Sequence, residues 1–364
     1  MEMMKTTILV AARLFILCVF LVLGGCNQKT KKTKELQVQK TVYASEVIPF
    51  FDDWKLILGD GSNAGIATNF EHKDFFYTVH DGKDNWVVFK APNAGDTHGT
   101  SNNTRTELAQ IKKWYPKTAD DRLTATLKVM NVSTTGDARV AATHAVVVGQ
   151  IHSADGHEDE PLKIFYKKFP GHTRGSVFWH YEINTADDDN ARRWDYSTAV
   201  WGNDFSVVGT SEDTYPEEPK EGIALGEAFS YEIEVKNGVM NLKFYSEGHE
   251  TKTFTKNLIK SEYTSAADIP QQTQELFVPI GQNGVERENG YSGEGLFFKL
   301  GAYNQTNGKS PEENKNWCSG AETHGGNIHK QYADGNFAEV WFTSASIHVS
   351  DAAVSNQGYF TKND

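Results

Sequence analysis

From about residue 46 onward the chain alternates apolar and polar residues with a period of two, and long amphipathic helical patterns are scarce. Leu123, Ala125, Leu127 and Val129 interleave with Thr124, Thr126, Lys128 and Met130. A strand turns successive side chains to opposite faces, so this pattern predicts one buried and one solvated face. Further strands are predicted at 75–79, 86–90, 145–152, 164–166, 177–183, 296–305 and 338–349. Asn237-Gly238 stands between the alternating runs 231–235 and 239–245, which predicts a hairpin closed by a primed turn. There is no internal repeat and no alternation of strands with helices. The fold class expected is all-β, a β-sandwich or jelly roll. One stretch departs from the pattern: 184–222 is rich in Asp and Glu and too long for a tight turn, so it is expected to form surface excursions.

The N-terminus carries a different kind of signal. Lys5 and Arg13 precede and flank an unbroken apolar run from Leu14 to Leu23, followed by Leu23-Gly24-Gly25-Cys26. The run is short for a membrane span, and small residues before a cysteine resemble a bacterial lipobox. Residues 1–25 are thus read as a lipoprotein signal peptide, with Cys26 as the lipidation site and first mature residue. Residues 26–45 are polar and Lys-rich (Lys29, Lys31, Lys32, Lys34, Lys40) and read as a flexible tether. Residues 46–364 form the folded domain. The expected location is the bacterial cell envelope, with a lipid anchor in the membrane, the outer membrane by preference.

The cysteines, Cys18, Cys26 and Cys318, offer neither a disulfide framework nor zinc-finger spacing. Lys and Arg total 36 against 48 Asp and Glu, a formal charge of −12. That balance argues against a nucleic-acid partner, which calls for a basic face.

Three motifs place polar side chains along strands with apolar backing. They are Arg105-Thr106-Glu107-Leu108, Gln150-Ile151-His152, and Phe297-Phe298-Lys299-Leu300-Gly301-Ala302-Tyr303-Asn304-Gln305. Alternation puts Arg105 with Glu107, Gln150 with His152, and Lys299 with Tyr303 and Gln305. Gly301 leaves the middle of the third motif uncluttered. Together they suggest a wet concave sheet face.

In order and spacing these segments resemble the signature regions of alginate lyases of polysaccharide lyase family 7. Phe297 and Leu300 stand where that family carries Tyr and Ala. The resemblance spans roughly residues 50–350 and implies a concanavalin-like jelly roll whose concave groove binds alginate, a uronic acid polymer. It implies β-elimination: the C5 proton is removed and the 4-O-glycosidic oxygen expelled. Arg105 and Gln150 would hold the uronate carboxylate and stabilise the enolate-like transition state. His152 would take the proton from guluronate, and Tyr303 would protonate the leaving oxygen. For mannuronate, Tyr303 would serve as both base and acid. Lys299 and Gln305 would hold neighbouring sugars, and Glu107 would orient Arg105 at the substrate-binding surface. The chemistry calls for no metal or other cofactor.

Other features are weighed as non-catalytic. His157-Glu158-Asp159-Glu160 and Asp187-Asp188-Asp189 read as solvated acidic loops. Glu232 and Glu234 read as the solvent face of a hairpin strand, and Cys318 has no assigned role. Two competing functions are a non-catalytic polysaccharide-binding lipoprotein of the same fold and a glycoside hydrolase, which needs two carboxylates flanking the scissile bond. A net-negative chain acting on a polyanion is expected to keep a local cationic groove, with its acids displaced to the rim and far side. The segments 153–161, 184–222 and 306–336 are expected to wall one end of that groove and favour cutting from chain ends. Ile151 in the second motif resembles members acting on guluronate-containing blocks.

Overall fold

The computed structural model describes residues 42–97, 101–154, 160–183, 194–259, 291 and 293–356. The signal peptide, Cys26, nearly all of the tether, the His157–Asp159 acids and the Asp187–Asp189 triple lie outside the described residues. The first described helix begins slightly before the expected domain boundary. Helix α1 (Ala44–Val47) starts inside the segment assigned to the tether, because Ala44 and Ile48, four residues apart, are both buried in the core.

Eighteen described strands, numbered along the chain, form two large antiparallel sheets and one small one. Edge to edge, the first sheet runs β11 (Trp194–Trp201), β10 (Arg174–Ile183), β9 (Leu162–Lys167), β8 (Ala145–Ser153), β16 (Leu296–Asn304), β5 (Arg105–Gln110), β1 (Trp54–Ile57) and β2 (Asn63–Gly65). Short β12 (Ile223–Ala224) pairs with β10, which makes nine strands. The second sheet runs β15 (Lys252–Asn257), β14 (Val239–Tyr245), β13 (Ala228–Lys236), β7 (Asp120–Asn131), β17 (Phe337–His348), β4 (Asn85–Pro92) and β3 (Phe76–His80). A two-stranded ribbon joins β6 (Lys112–Lys113) to β18 (Val354–Ser355). Strands that neighbour each other in space come from distant parts of the chain, as β16 does between β5 and β8. A second short helix, α2 (Ile328–Ala333), lies in the connection before β17.

The alternation read from the sequence becomes the sandwich. Leu123, Leu127, Ile233, Phe342 and Phe89 from the seven-stranded sheet share one buried cluster with Leu108, Val146, Val148, Ile151, Ile164, Trp179, Phe298 and Leu300 from the nine-stranded sheet. Removing this apolar surface from water drives the two sheets together. Asn237 (φ 49°) and Gly238 (φ 82°) take the left-handed values that a primed hairpin turn requires, and Glu232 and Glu234 fall on the partly exposed outer side. The expectation that 184–222 is wholly excursion is corrected: Trp194–Trp201 is an edge strand paired to β10. Its Trp, Tyr and Thr residues suit a strand, and the acidic composition around them masked that pattern.

One irregularity sets the faces of β8. The ladder to β9 slips between Val147 and Gly149, so Val148 and Gly149 both turn toward the core. This bulge returns Gln150 and His152 to the outer face already used by Ala145 and Val147. Tyr231 of the opposite sheet donates a hydrogen bond to the Val148 carbonyl (3.1 Å), and a Cβ on residue 149 would lie 2.6 Å from that phenolic oxygen. Gly149→Ala should therefore destabilise the fold by about 1–3 kcal/mol in urea unfolding and depress activity together with it. Full wild-type stability would show that the bulge tolerates a side chain.

Candidate active site

The outer face of the nine-stranded sheet gathers the three motifs. β16 lies between β5 and β8, so register alone decides who meets whom. Tyr303 pairs with Arg105 and Gly301 with Glu107, while Lys299 pairs with Gln150 and Phe297 with His152. The ladder continues from Gln150 to Lys163 on β9 and from Lys163 to His180 on β10. Antiparallel partners share a face, so a polar row crosses adjacent strands. Gly301 (φ 149°) sits above Glu107, and a Cβ there would meet the Thr106 carbonyl at 2.4 Å. The missing side chain lets β16 lie close against the β5 backbone at Thr106 and Glu107.

Glu107 is the hub. Its carboxylate lies 2.6 Å from Lys299 Nζ and 3.6 Å from an Arg105 guanidinium nitrogen, and it accepts a hydrogen bond from the Gln150 amide. Burial alone would raise its pKa, but Lys299, then Arg105, overcome that and hold the carboxyl below its usual range. Burial, with Arg105 beside it, depresses Lys299 to about 8 against the opposing pull of Glu107. Glu107 and Lys299 are both almost fully buried. The two form a buried ion pair, and Glu107, as expected from its place beside Arg105, also faces that guanidinium. Gln305 follows the end of β16, is buried, and donates its amide N–H to the Tyr303 carbonyl (3.3 Å). Its nitrogen is therefore engaged with its own strand.

Arg105 and Tyr303 form the partly accessible half of the group. The guanidinium carbon stands 3.8 Å from the Tyr303 ring centroid, and the phenolic oxygen is 3.1 Å from Ser101 Oγ. His152 lies farther along the row. Its Nδ1 is 2.7 Å from the Ser153 carbonyl, its ring centroid 5.3 Å from that of Phe297, and its Nε2 3.5 Å from Glu160. Burial first, then the charge of Lys299, pushes its pKa well below the ordinary imidazole value, which leaves it neutral near pH 7 and able to accept a proton.

Several residues on this face were not singled out from the sequence. Lys163 Nζ bridges Glu160 (3.1 Å) and Glu182 (2.6 Å). The alternation Lys163, Phe165, Lys167 was a usable signal for it, whereas Glu160 looked like any loop acid. Reading Glu160 as solvated is corrected, because it is buried at 7% exposure against a cation. Likewise, the acids are not displaced to the rim: Glu107, Glu160 and Glu182 lie among the cations as fixed partners. His180, Glu182 and Asp195 bring ligand atoms within 4.8 Å of one another, and the Lys163 ammonium already balances the charge there. Toward β11, Phe165, Phe178 and His180 meet Phe205 at centroid distances of 6.0, 6.1 and 4.6 Å. Trp317 covers Phe205 at 5.0 Å. Thus the connections holding Phe205 and Trp317 pack onto the outer face at that side.

The electrostatics predict an alkaline limit. As pH rises through about 8, Lys299 loses its proton, the Glu107 carboxylate loses its nearest cation, and Arg105 is drawn toward it and away from any anionic ligand. KM should rise between pH 7 and 9.5 while the fold persists; a flat KM across that range, measured by initial rates, would exclude this coupling.

Comparisons with known proteins point to one family. A family model described as alginate lyase matches residues 48–349. A curated alginate lyase of Klebsiella pneumoniae is 28% identical over 281 residues, covering 68% of this chain and 76% of that protein. The crystal structure of an exolytic family 7 alginate lyase from Zobellia galactanivorans superposes with a TM-score of 0.77 at 61% identity, covering 85% of this chain and 99% of that one. The crystal structure of the Klebsiella pneumoniae alginate lyase shares the fold at a TM-score of 0.57 and 22% identity, over 83% of this chain and 96% of that one. With the two-sheet architecture and the three motifs on one sheet face, the match establishes that this chain belongs to polysaccharide lyase family 7 and is an alginate lyase of jelly-roll fold.

Proposed function

We propose that the outer face of the nine-stranded sheet cleaves guluronate-containing alginate by β-elimination, from chain ends, with Arg105, Gln150, His152 and Tyr303 as the reacting constellation. The observation that carries the reading is the Arg105–Tyr303 stack at 3.8 Å, which couples a carboxylate-binding cation to a phenol that can donate a proton. The C5 proton passes to His152 Nε2, and the C–H electrons become the C4=C5 double bond. The C4–O electrons leave with the glycosidic oxygen, which takes the Tyr303 proton. Arg105 and a Gln150 N–H stabilise the negative charge that builds on the uronate carboxylate. Solvent then returns a proton to the phenolate and removes one from the imidazolium. His152 is neutral near pH 7 for the reasons given above, which suits a base. For mannuronate, where both groups leave from one side of the ring, Tyr303 is the proposed base and acid.

Two observations support action at chain ends. Phe205 and Trp317 cover the face at the β10–β11 side, and the relative from Zobellia galactanivorans that is 61% identical is described as exolytic. On guluronate oligomers, ultraviolet absorbance should report one new conjugated double bond per cut. His152→Ala and Tyr303→Phe should each lower kcat about 10²–10⁴-fold with far-ultraviolet circular dichroism unchanged. The same time course should show the smallest unsaturated products first and little early loss of viscosity. A rapid viscosity drop with mid-length oligomers would reject end-trimming while leaving the chemistry in place.

Export and anchoring are proposed from Leu23-Gly24-Gly25-Cys26 and the polar segment that follows: a lipid on Cys26 would tether the enzyme at the cell envelope, at the outer membrane by preference. Detergent-phase partitioning of the full-length chain should be lost in Cys26→Ser, and an unchanged partition would rule out that anchor.

A further inference from the structure

We propose that Glu160 is a positioning residue for the proton-abstracting imidazole. Clamped by Lys163, its carboxylate faces Nε2 of His152 and stabilises the imidazolium formed as that nitrogen takes the sugar proton. This rests on the reading of His152 as the base and extends the machinery to a loop acid that none of the three motifs contains.

The tautomer comes first. His152 Nδ1 lies 2.7 Å from the Ser153 carbonyl, and a carbonyl only accepts, so Nδ1 carries the proton and Nε2 the lone pair. Nε2 stands 3.5 Å from Glu160 Oε1, longer than a committed hydrogen bond. In the neutral ring that nitrogen has nothing to donate. Once it has taken the C5 proton the ring is a cation 3.5 Å from a carboxylate, and the electrostatic attraction between them strengthens. An interaction that grows as the reaction proceeds lowers the barrier, whereas one of constant strength does not. Glu160 itself keeps no proton in this step.

The carboxylate is also held in place. Its other oxygen lies 3.1 Å from Lys163 Nζ, which is 2.6 Å from Glu182, and the Glu160 backbone N–H donates to Glu182 (3.2 Å). Such fixed dipoles and charges need no reorganisation when the proton moves. The charged groups around the ring explain why this is needed. Lys299 from β16, Arg105 from β5 and Lys163 from β9 all disfavour the imidazolium. Glu107 on β5 and Glu182 on β10 are each tied to one of those cations. Among the described residues, Glu160 brings a carboxylate within ion-pair range of the ring itself.

The test is Glu160→Gln, which keeps the shape and removes the charge, with Glu160→Asp as the charge-retaining comparison and His152→Ala run alongside. Without the carboxylate the imidazole is a weaker base with a lower pKa. In Glu160→Gln, kcat/KM on guluronate oligomers should therefore fall about tenfold at its plateau, and the acid limb of its pH profile should move down by about one pH unit. Glu160→Asp should keep the limb near its wild-type position. A folded Glu160→Gln enzyme with an unmoved acid limb overturns the proposal; if His152→Ala is then inactive, the base assignment survives without it. Wild-type cleavage of guluronate by His152→Ala would overturn both. Should Glu160→Gln not fold, nitrogen-15 spectra of His152 in the wild-type chain decide the matter. The Nδ1–H tautomer supports the proposal, and an Nε2–H tautomer donating to Glu160 overturns it.

Discussion

A carboxylate buried beneath the outer sheet face, Glu107, is the constraint on which the site depends. An ion withdrawn from water is tolerated only when other groups replace its hydration. Here Lys299 on β16, Gln150 on β8 and Arg105 on the same strand do so. That requirement fixes the rotamers of three side chains at once. It also places Arg105 over Tyr303, because the two are direct ladder partners on β5 and β16. Gly301 contributes by letting β16 lie close against the β5 backbone at Thr106 and Glu107.

The same logic is repeated one strand farther along. Lys163 joins Glu160 and Glu182, so three cations and three carboxylates alternate across the polar row. For a chain of formal charge −12 acting on a polyanion, this differs from a simple basic groove. Long-range attraction is weak when each cation has its own partner. Recognition must come from short-range donors set at defined positions, which also suits a reaction whose charge develops at a single carboxylate. The aromatic cluster around Phe165, Phe178, Phe205 and Trp317 bounds this row on one side.

Much of the framework was legible because strand periodicity is a local property. The Leu123–Val129 alternation, the Asn237-Gly238 turn and the shared faces of Arg105 with Glu107 and Gln150 with His152 all appear in the structure as the residues imply. Strand Trp194–Trp201 was hidden by its acidic surroundings, since composition averages over a window wider than one strand. Lys163 was within reach of the same reasoning that found Lys299. Glu160 was not: nothing in a loop acid's neighbours along the chain tells whether it faces water or a buried ammonium.

The sequence by itself determined an all-β chain, which residues within each motif share a face, and a constellation suited to eliminating a uronate, because these follow from a period of two and from side-chain chemistry. Tertiary structure alone decided which carboxylates are buried partners, that Glu107 and Lys299 pair with each other, that the β8 bulge brings Gln150 and His152 back to the outer face, and where Glu160 stands against the imidazole. Those outcomes depend on strand order and register between segments up to some two hundred residues apart, as with Tyr303 and Arg105, and pairing over such separations is set by burial across the whole sandwich rather than by any local run of residues.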